Sequence, residues 1–115
     1  MQKLMLKIQP NSGATVVSFE GDFDGYIKED LEEVQKLVDT APANSIMIFD
    51  FSKLNYLNSY AIGHLVDWYN HLHKTGGMIH IAGANKNVAD IFSILGIASL
   101  FKLYPDAKTA LSEVK

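Results

Sequence analysis

Hydrophobic and polar positions alternate at the start of the chain in the way that is typical of a β-hairpin. Apolar residues occupy every second position from Leu4 to Ile8, which predicts a strand over Lys3–Gln9. Turn-forming residues fill Pro10–Gly13, and Ala14–Glu20 is a second run, rich in β-branched and aromatic side chains. Because four turn residues join two apolar runs, we predict an antiparallel pair of strands.

After the hairpin, the apolar positions switch repeatedly between helical spacing and short continuous runs, which predict helices and buried strands respectively. Loops are predicted over Gly21–Gly25 and Ser52–Asn58. Because strands that alternate with helices need crossover connections, the order β-β-α-β-α-β-α-β-α predicts an α/β fold, with a mixed five-stranded sheet and four helices. The elements predicted after the hairpin are a helix over Tyr26–Thr40, a strand over Ile46–Phe51, a helix over Ser59–Lys74, a strand over Met78–Ala82, a turn over Gly83–Lys86 that leads into a helix ending at Leu95, a strand over Leu100–Tyr104 and a last helix capped by Asp106.

Composition agrees with a globular chain and removes several classes of function. The 115 residues are 48% apolar and 20% charged, which suits one domain over residues 1–115. Cysteine is absent, so disulfides, a thiol nucleophile and a cysteine zinc site are excluded. Thirteen acidic residues against ten lysines give a net charge of −3, which argues against a nucleic-acid partner. Because neither a membrane span nor a signal peptide is recognisable, we expect a cytoplasmic protein without direct membrane insertion.

Four segments combine glycines, polar residues and short apolar runs at a spacing that is specific as a set. They are Gly21–Asp24, the stretch from Phe49 to Ile62, Gly76–Gly83 and the stretch from Ile94 to Phe101. In this order and at this spacing they resemble the STAS domain family, the fold of sulfate transporter and anti-sigma factor antagonist domains. The resemblance covers essentially the whole chain, and it implies a STAS-like fold and a regulatory, protein-binding function.

The resemblance also implies a partner and a switch. Small members of the family are similar to bacterial anti-sigma factor antagonists, which bind an anti-sigma factor that is also a serine kinase of the ATPase fold. Phosphorylation of a Ser or Thr at the start of the second helix abolishes that binding. In this chain the family's Asp, first Ser and acceptor Ser/Thr align with Asn58, Ser59 and Tyr60. The resemblance therefore implies a binding domain in which Tyr60 replaces the usual acceptor, and Ser59 is the remaining candidate for phosphorylation.

The expected partner surface combines the loop after the second strand with the first turns of the second helix, and it comprises Asp22, Asp24, Asn58, Ser59, Tyr60, His64 and Trp68. Several of these residues also have structural interpretations. Ser59 is a preferred helix cap, Asn58 can cap the same helix one position earlier, and Asp24 can cap the first helix. Trp68 is either an exposed hot spot for binding or a core residue beneath a neighbouring helix.

Catalytic and metal-binding interpretations have little support in the sequence. Asp22 and Asp24 are close enough to suggest paired carboxylates, but helix capping and a solvated loop explain them. His64, Asp67 and His71 recur at helical spacing, yet a metal site also needs convergent ligands and a supporting shell. We therefore expect no catalysis, no cofactor and no metal. The alternative functions are a STAS subunit of a lipid-transport or other transporter ATPase complex, and a small-ligand binder.

Overall fold

Five strands and four helices make up the part of the chain that the structure, a computed structural model, describes, namely residues 3–11, 13–26 and 28–114. In chain order they are β1 (Met5–Asn11), β2 (Ala14–Phe23), α1 (Lys28–Asp39), β3 (Ile46–Leu57), α2 (Ser59–His73), β4 (Met78–Ala82), α3 (Lys86–Ile94), β5 (Leu103–Tyr104) and α4 (Ala107–Glu113). The strands form one sheet in the order β1-β2-β3-β4-β5, in which β1 runs antiparallel to β2 and the other neighbours are parallel. The predicted α/β fold, with its mixed five-stranded sheet and four helices, is confirmed.

Strand β3 is much longer than the sequence predicts, and the predicted loop over Ser52–Asn58 is wrong. Residues 52–57 continue the strand and pair with the end of β2, where Gly21 lies opposite Leu54 and Phe23 lies opposite Leu57. Register shifts interrupt this part of the ladder, and the buried side chains recur at every third position rather than every second. The irregular period hides the strand in the sequence, and the same pairing extends β2 into the predicted Gly21–Gly25 loop.

Other element boundaries differ less from the predictions. Strand β1 includes Pro10, which an edge strand tolerates because one of its sides needs no partner. The predicted last strand, Leu100–Tyr104, is reduced to the two residues of β5, since the preceding residues form a turn. The predicted cap of α4 is confirmed, because an Asp106 oxygen accepts a hydrogen bond from the Thr109 N–H at 2.7 Å. Ser12 of the predicted turn and Ile27 of the predicted first helix lie outside the described residues.

Helices cover both faces of the sheet, but unequally. The larger apolar cluster joins buried residues of α1, α2 and α3 to one face, where the Phe19 ring lies 5.1 Å from the rings of Phe49 and Phe51. A smaller cluster joins Ala110 of α4 to Ile48 and neighbouring residues on the other face. The packing of α1 and α2 on the same side of the sheet accompanies a contact between the loop at Gly25 and the first turn of α2. None of the helices within the described ranges is long and apolar enough to span a bilayer.

His80 is a half-buried, titratable group on the α4 face of the sheet. It lies opposite Ile48 on β3, and its ring meets the Tyr104 ring edge to face at 5.5 Å. Its Nδ1 atom is buried and has no hydrogen-bond partner among the described residues. Burial lowers the pKa of His80 because it disfavours the charged imidazolium, and the nearby positive charge of Lys102 lowers this pKa further.

Acidification below about pH 6.5 is expected to destabilise the fold through His80. Because the folded-state pKa of His80 is lowered, the unfolded chain binds more protons in this range. The stabilisation is complete above the unfolded pKa and is lost as the pH falls towards the folded-state value. Urea unfolding at about pH 8 and about pH 5 measures this loss. The His80→Phe variant keeps a ring but cannot titrate, so it should lose less stability over the same interval; an equal loss in both proteins would contradict this assignment.

Candidate functional site

Strands β2 and β3 end side by side, and the residues that follow them form an exposed corner. Phe23 pairs with Leu57, and the backbone N–H of Asn58 donates to the Phe23 carbonyl at 3.3 Å. The chain then enters a loop towards α1 after β2, whereas it begins α2 at once after β3. Asp24–Tyr26 and Asn58–Tyr60 together are called the loop–helix corner below.

Gly25 brings the loop into direct contact with the first turn of α2. Its φ of +75° lies in the left-handed region, and a Cβ at this position would lie 2.8 Å from the Ala61 nitrogen and 2.9 Å from the Tyr60 carbonyl carbon. Its carbonyl oxygen lies 3.2 Å from Nε2 of His64, one turn further along α2. Because both the backbone angle and the available space exclude a side chain, the corner requires glycine here.

Two exposed tyrosines form the most prominent surface feature of the corner. The rings of Tyr26 and Tyr60 lie 4.6 Å apart at an angle of 46°, and the two residues are 62% and 59% exposed. Tyrosine offers a large apolar area with a polar end, which is why it is enriched at protein interfaces. This tyrosine pair therefore gives the corner the chemistry of a recognition surface.

Asn58, not Ser59, caps helix α2. Asn58 has an extended backbone, and its Oδ1 accepts a hydrogen bond from the Ala61 N–H at 3.0 Å. The expectation that Ser59 is the cap is wrong, because Ser59 is already the first helical residue, and a cap acts from the position before the helix. The cap contribution of about 1 kcal/mol therefore belongs to Asn58. Ser59 is exposed on the surface of the corner.

The two loop aspartates have different surroundings. An Asp24 carboxylate oxygen accepts a hydrogen bond from the Tyr26 N–H at 3.0 Å, so this side chain stabilises the turn that presents the tyrosine. Asp22 lies on β2, half-buried, opposite Tyr56 of β3. Asp24 is therefore part of the loop–helix corner, and the prediction that it caps the first helix is wrong, because its carboxylate accepts from Tyr26, which is not helical. Asp22 lies beside the corner, on β2 and not in a solvated loop.

Trp68 belongs to the core, and its interpretation as an exposed hot spot is wrong. It is only 1% exposed, and its ring lies 6.2 Å from that of Phe23 and 5.9 Å from that of Phe49. Its indole N–H donates to Oε1 of Gln35 on α1 at 2.9 Å. Because α1 packs against the side of α2 that carries Trp68, this side is buried although it lies outside the main apolar stripe of the helix. The alternative of a core residue beneath a neighbouring helix is confirmed.

His64 and His71 contact different groups rather than converging on one point. His64 faces the Gly25 carbonyl, whereas Nε2 of His71 lies 3.9 Å from a carboxylate oxygen of Asp39 on α1. Within the described part of the chain, no three His, Asp or Glu side chains are grouped so as to hold a metal ion. His64 nonetheless lies beside the loop–helix corner, because its contact with the Gly25 carbonyl links α2 to the loop after β2.

Two exposed tyrosines that the sequence interpretation leaves out of the site lie at or beside the corner. The sequence pattern assigns Tyr26 to the first helix. It assigns Tyr56 to the predicted Ser52–Asn58 loop, because the end of β3 is not recognisable in the sequence. Tyr56 is 47% exposed and lies opposite Asp22 in the sheet. The sequence does carry a signal for Tyr26, since this residue directly follows Gly25 at the end of the loop that belongs to the expected partner surface.

Fold and corner together define a small α/β domain of mixed sheet topology that presents a loop and a helix start to solvent. The STAS domain family model matches residues 5–110. The chain therefore belongs to the STAS domain family, as the resemblance in its sequence implies.

Solved structures with the same fold include regulators and a transporter domain. An anti-sigma factor antagonist from Mycobacterium paratuberculosis has a TM-score of 0.83 at 24% identity, covering 97% of this chain and 94% of its own. The Bacillus cell fate determinant SpoIIAA in its phosphorylated form has a TM-score of 0.73 at 14% identity, covering 98% and 100%. The STAS domain of a SulP transporter from Vibrio cholerae has a TM-score of 0.64 at 21% identity, covering 80% and 77%. At these identities the likeness establishes the fold.

Proposed function

We propose that this chain is a regulatory, non-enzymatic domain that binds an anti-sigma factor through the loop–helix corner. The observation that carries the proposal is the exposed tyrosine pair, Tyr26 and Tyr60, at the corner where the STAS resemblance puts partner contact. The similarity of the fold to anti-sigma factor antagonists supports the choice of partner. The partner is an anti-sigma factor with the ATPase fold of a serine kinase.

Binding does not depend on a phosphate at position 60. A kinase site shaped for the short hydroxyl of Ser or Thr does not present a phenol at the same place, and the Tyr60 ring packs against Tyr26. A phosphoryl group would also add about −1.5 to −2 units of charge to this surface, and the chain contains no arginine that could pair with that charge. The domain is therefore a constitutive binder, whose occupancy follows the abundance of the partner.

Replacing Tyr60 with alanine is expected to weaken the anti-sigma factor complex by about 2 kcal/mol, or roughly thirty-fold in Kd. The exposed ring supplies apolar contact area at the centre of the corner, and alanine removes it. Isothermal titration of the purified domain with the purified anti-sigma factors of its own organism measures the change. Ser59→Ala should leave the affinity nearly unchanged, because Ser59 neither caps the helix nor belongs to the tyrosine pair.

Leu103→Ala is the matched control, because Leu103 is 39% exposed on β5, away from the corner, and its loss should not change the affinity. Equal effects of Tyr60→Ala and Leu103→Ala on the affinity would contradict binding through the corner.

Intact-mass measurement of the native protein tests whether phosphorylation controls binding. A stoichiometric phosphate on Ser59 that blocks binding would overturn the constitutive mechanism. Stable association with a transporter ATPase, and with no anti-sigma factor, would replace this function by the transporter-subunit alternative.

A further inference from the structure

A groove between α1 and α2 continues the surface of the loop–helix corner. It is lined by Leu31, Glu32, Gln35 and His64 and encloses about 280 Å³. His64 connects the groove to the corner, because its Nε2 atom faces the Gly25 carbonyl at 3.2 Å. A protein bound at the tyrosine pair therefore lies next to the opening of this groove.

The walls of the groove are held in place by contacts with the core. Gln35 accepts the indole N–H of Trp68 at 2.9 Å and donates its own amide to Asp39 at 2.9 Å. The His64 ring lies 5.8 Å from the Trp68 ring. Because Gln35 and His64 are held by these contacts before anything binds, an occupant need not order these two side chains, and this reduces the entropic cost of binding.

The size of the groove suits a single side chain of a protein partner. Pockets for small molecules usually enclose about 300–1,000 Å³ and surround most of the ligand. This groove is smaller and open, and its apolar lining residue, Leu31, is only 5% exposed. A large apolar side chain that projects from a partner's surface fits this shape and chemistry.

The surroundings of the groove are acidic. Residues 22–33 contain six acidic residues and one lysine. Glu32 lines the groove itself, Glu29 is exposed on the first turn of α1, and Asp67 is exposed on α2 close after His64. A positively charged partner segment is therefore attracted to this surface, and a negatively charged one is repelled.

We propose that the α1–α2 groove binds a basic, amphipathic segment of the partner protein. One apolar side chain of the segment enters the groove, while a neighbouring lysine or arginine lies at Glu32 and extends towards the tyrosine pair. The exposed ring faces of Tyr26 and Tyr60 can also attract such a cation. This inference rests on the proposed function, since it names the part of the partner that the corner and groove recognise together.

Two amidated peptides of about twelve residues test the inference without the natural partner. Both carry leucines at helical spacing; one has lysines at the remaining positions, and the other has glutamates. In NMR titrations, the basic peptide should shift the resonances of Leu31, Gln35 and His64, and the acidic peptide should not. Glu32→Lys should weaken the basic peptide roughly tenfold or more. Glu33→Lys is the matched control, with the same charge change at an exposed position of α1 that does not line the groove; it should weaken binding less than about threefold.

The inference is overturned if the basic peptide shifts resonances elsewhere, if it does not bind, or if the two charge reversals have equal effects. The purified anti-sigma factors separate this result from the proposed function. If they bind the domain with an affinity that Tyr60→Ala lowers and Glu32→Lys does not, the proposed function stands and the groove inference fails. If they do not bind at all while the basic peptide occupies the groove, the groove inference stands and the identity of the partner is wrong.

Discussion

The Trp68→Ala variant is expected to lose about 3–5 kcal/mol of its free energy of unfolding, which is the range for removing a large buried aromatic side chain. Trp68 is 1% exposed and packs between the rings of Phe23 and Phe49, so alanine leaves a cavity in the main core. It also leaves Gln35 without its indole donor. Urea unfolding followed by circular dichroism measures the loss, because the variant has no tryptophan left for fluorescence.

Trp68→Phe separates the packing contribution from the hydrogen bond. Phenylalanine keeps an aromatic ring in the core but cannot donate to Gln35, so we expect a smaller loss than with alanine. If Trp68→Ala costs less than about 1 kcal/mol, Trp68 does not hold α1 and α2 together as its contacts indicate. If Trp68→Ala lowers the partner affinity without lowering the stability, Trp68 is an exposed hot spot for binding after all.

Gly25→Ala is expected to weaken partner binding by at least the roughly thirty-fold that the loss of Tyr60 alone should cause. A methyl group would lie 2.8 Å from the Ala61 nitrogen, and the neighbouring atoms are backbone of α2 that cannot rotate away. The loop must then move off the helix, which separates Tyr26 from Tyr60. The positive φ adds a cost of about 1–3 kcal/mol in stability.

Gly13→Ala is the matched control for Gly25→Ala. Gly13 also has a positive φ, of +88°, but a Cβ there would have nothing within 4 Å. The two variants therefore share backbone strain, and only Gly25→Ala should displace the corner and lower the partner affinity. Loss of the nuclear Overhauser contacts between the rings of Tyr26 and Tyr60 would report the displacement directly. Equal affinities of the two variants would show that the Gly25 contact does not organise the binding surface.

Local pattern was sufficient for most of the fold. The boundaries of β4 match the prediction, and α2 begins at Ser59 as expected, because a continuous apolar run and a helical stripe are both encoded within a few residues. The extension of β3 to Leu57 does not follow from local pattern, because it depends on pairing with β2 through an irregular register. The sequence also does not decide whether Asn58 or Ser59 is the cap, because either residue type can cap a helix and only the backbone geometry selects one of them.

By itself, the sequence determined the order of the elements, since this depends on residue type and local spacing, and its resemblance to the STAS family agrees with the family model. The tertiary structure decided which side chains reach the surface. Trp68 is buried because α1, which carries its hydrogen-bond partner Gln35 33 residues earlier, packs beside α2 in the same core cluster. Tyr26 lies against Tyr60 because Gly25 allows the loop after β2 to contact α2, which begins directly after β3. Contacts between residues so far apart leave no period in the sequence, so only the packing of α1, α2 and the sheet decides which side chains form the loop–helix corner.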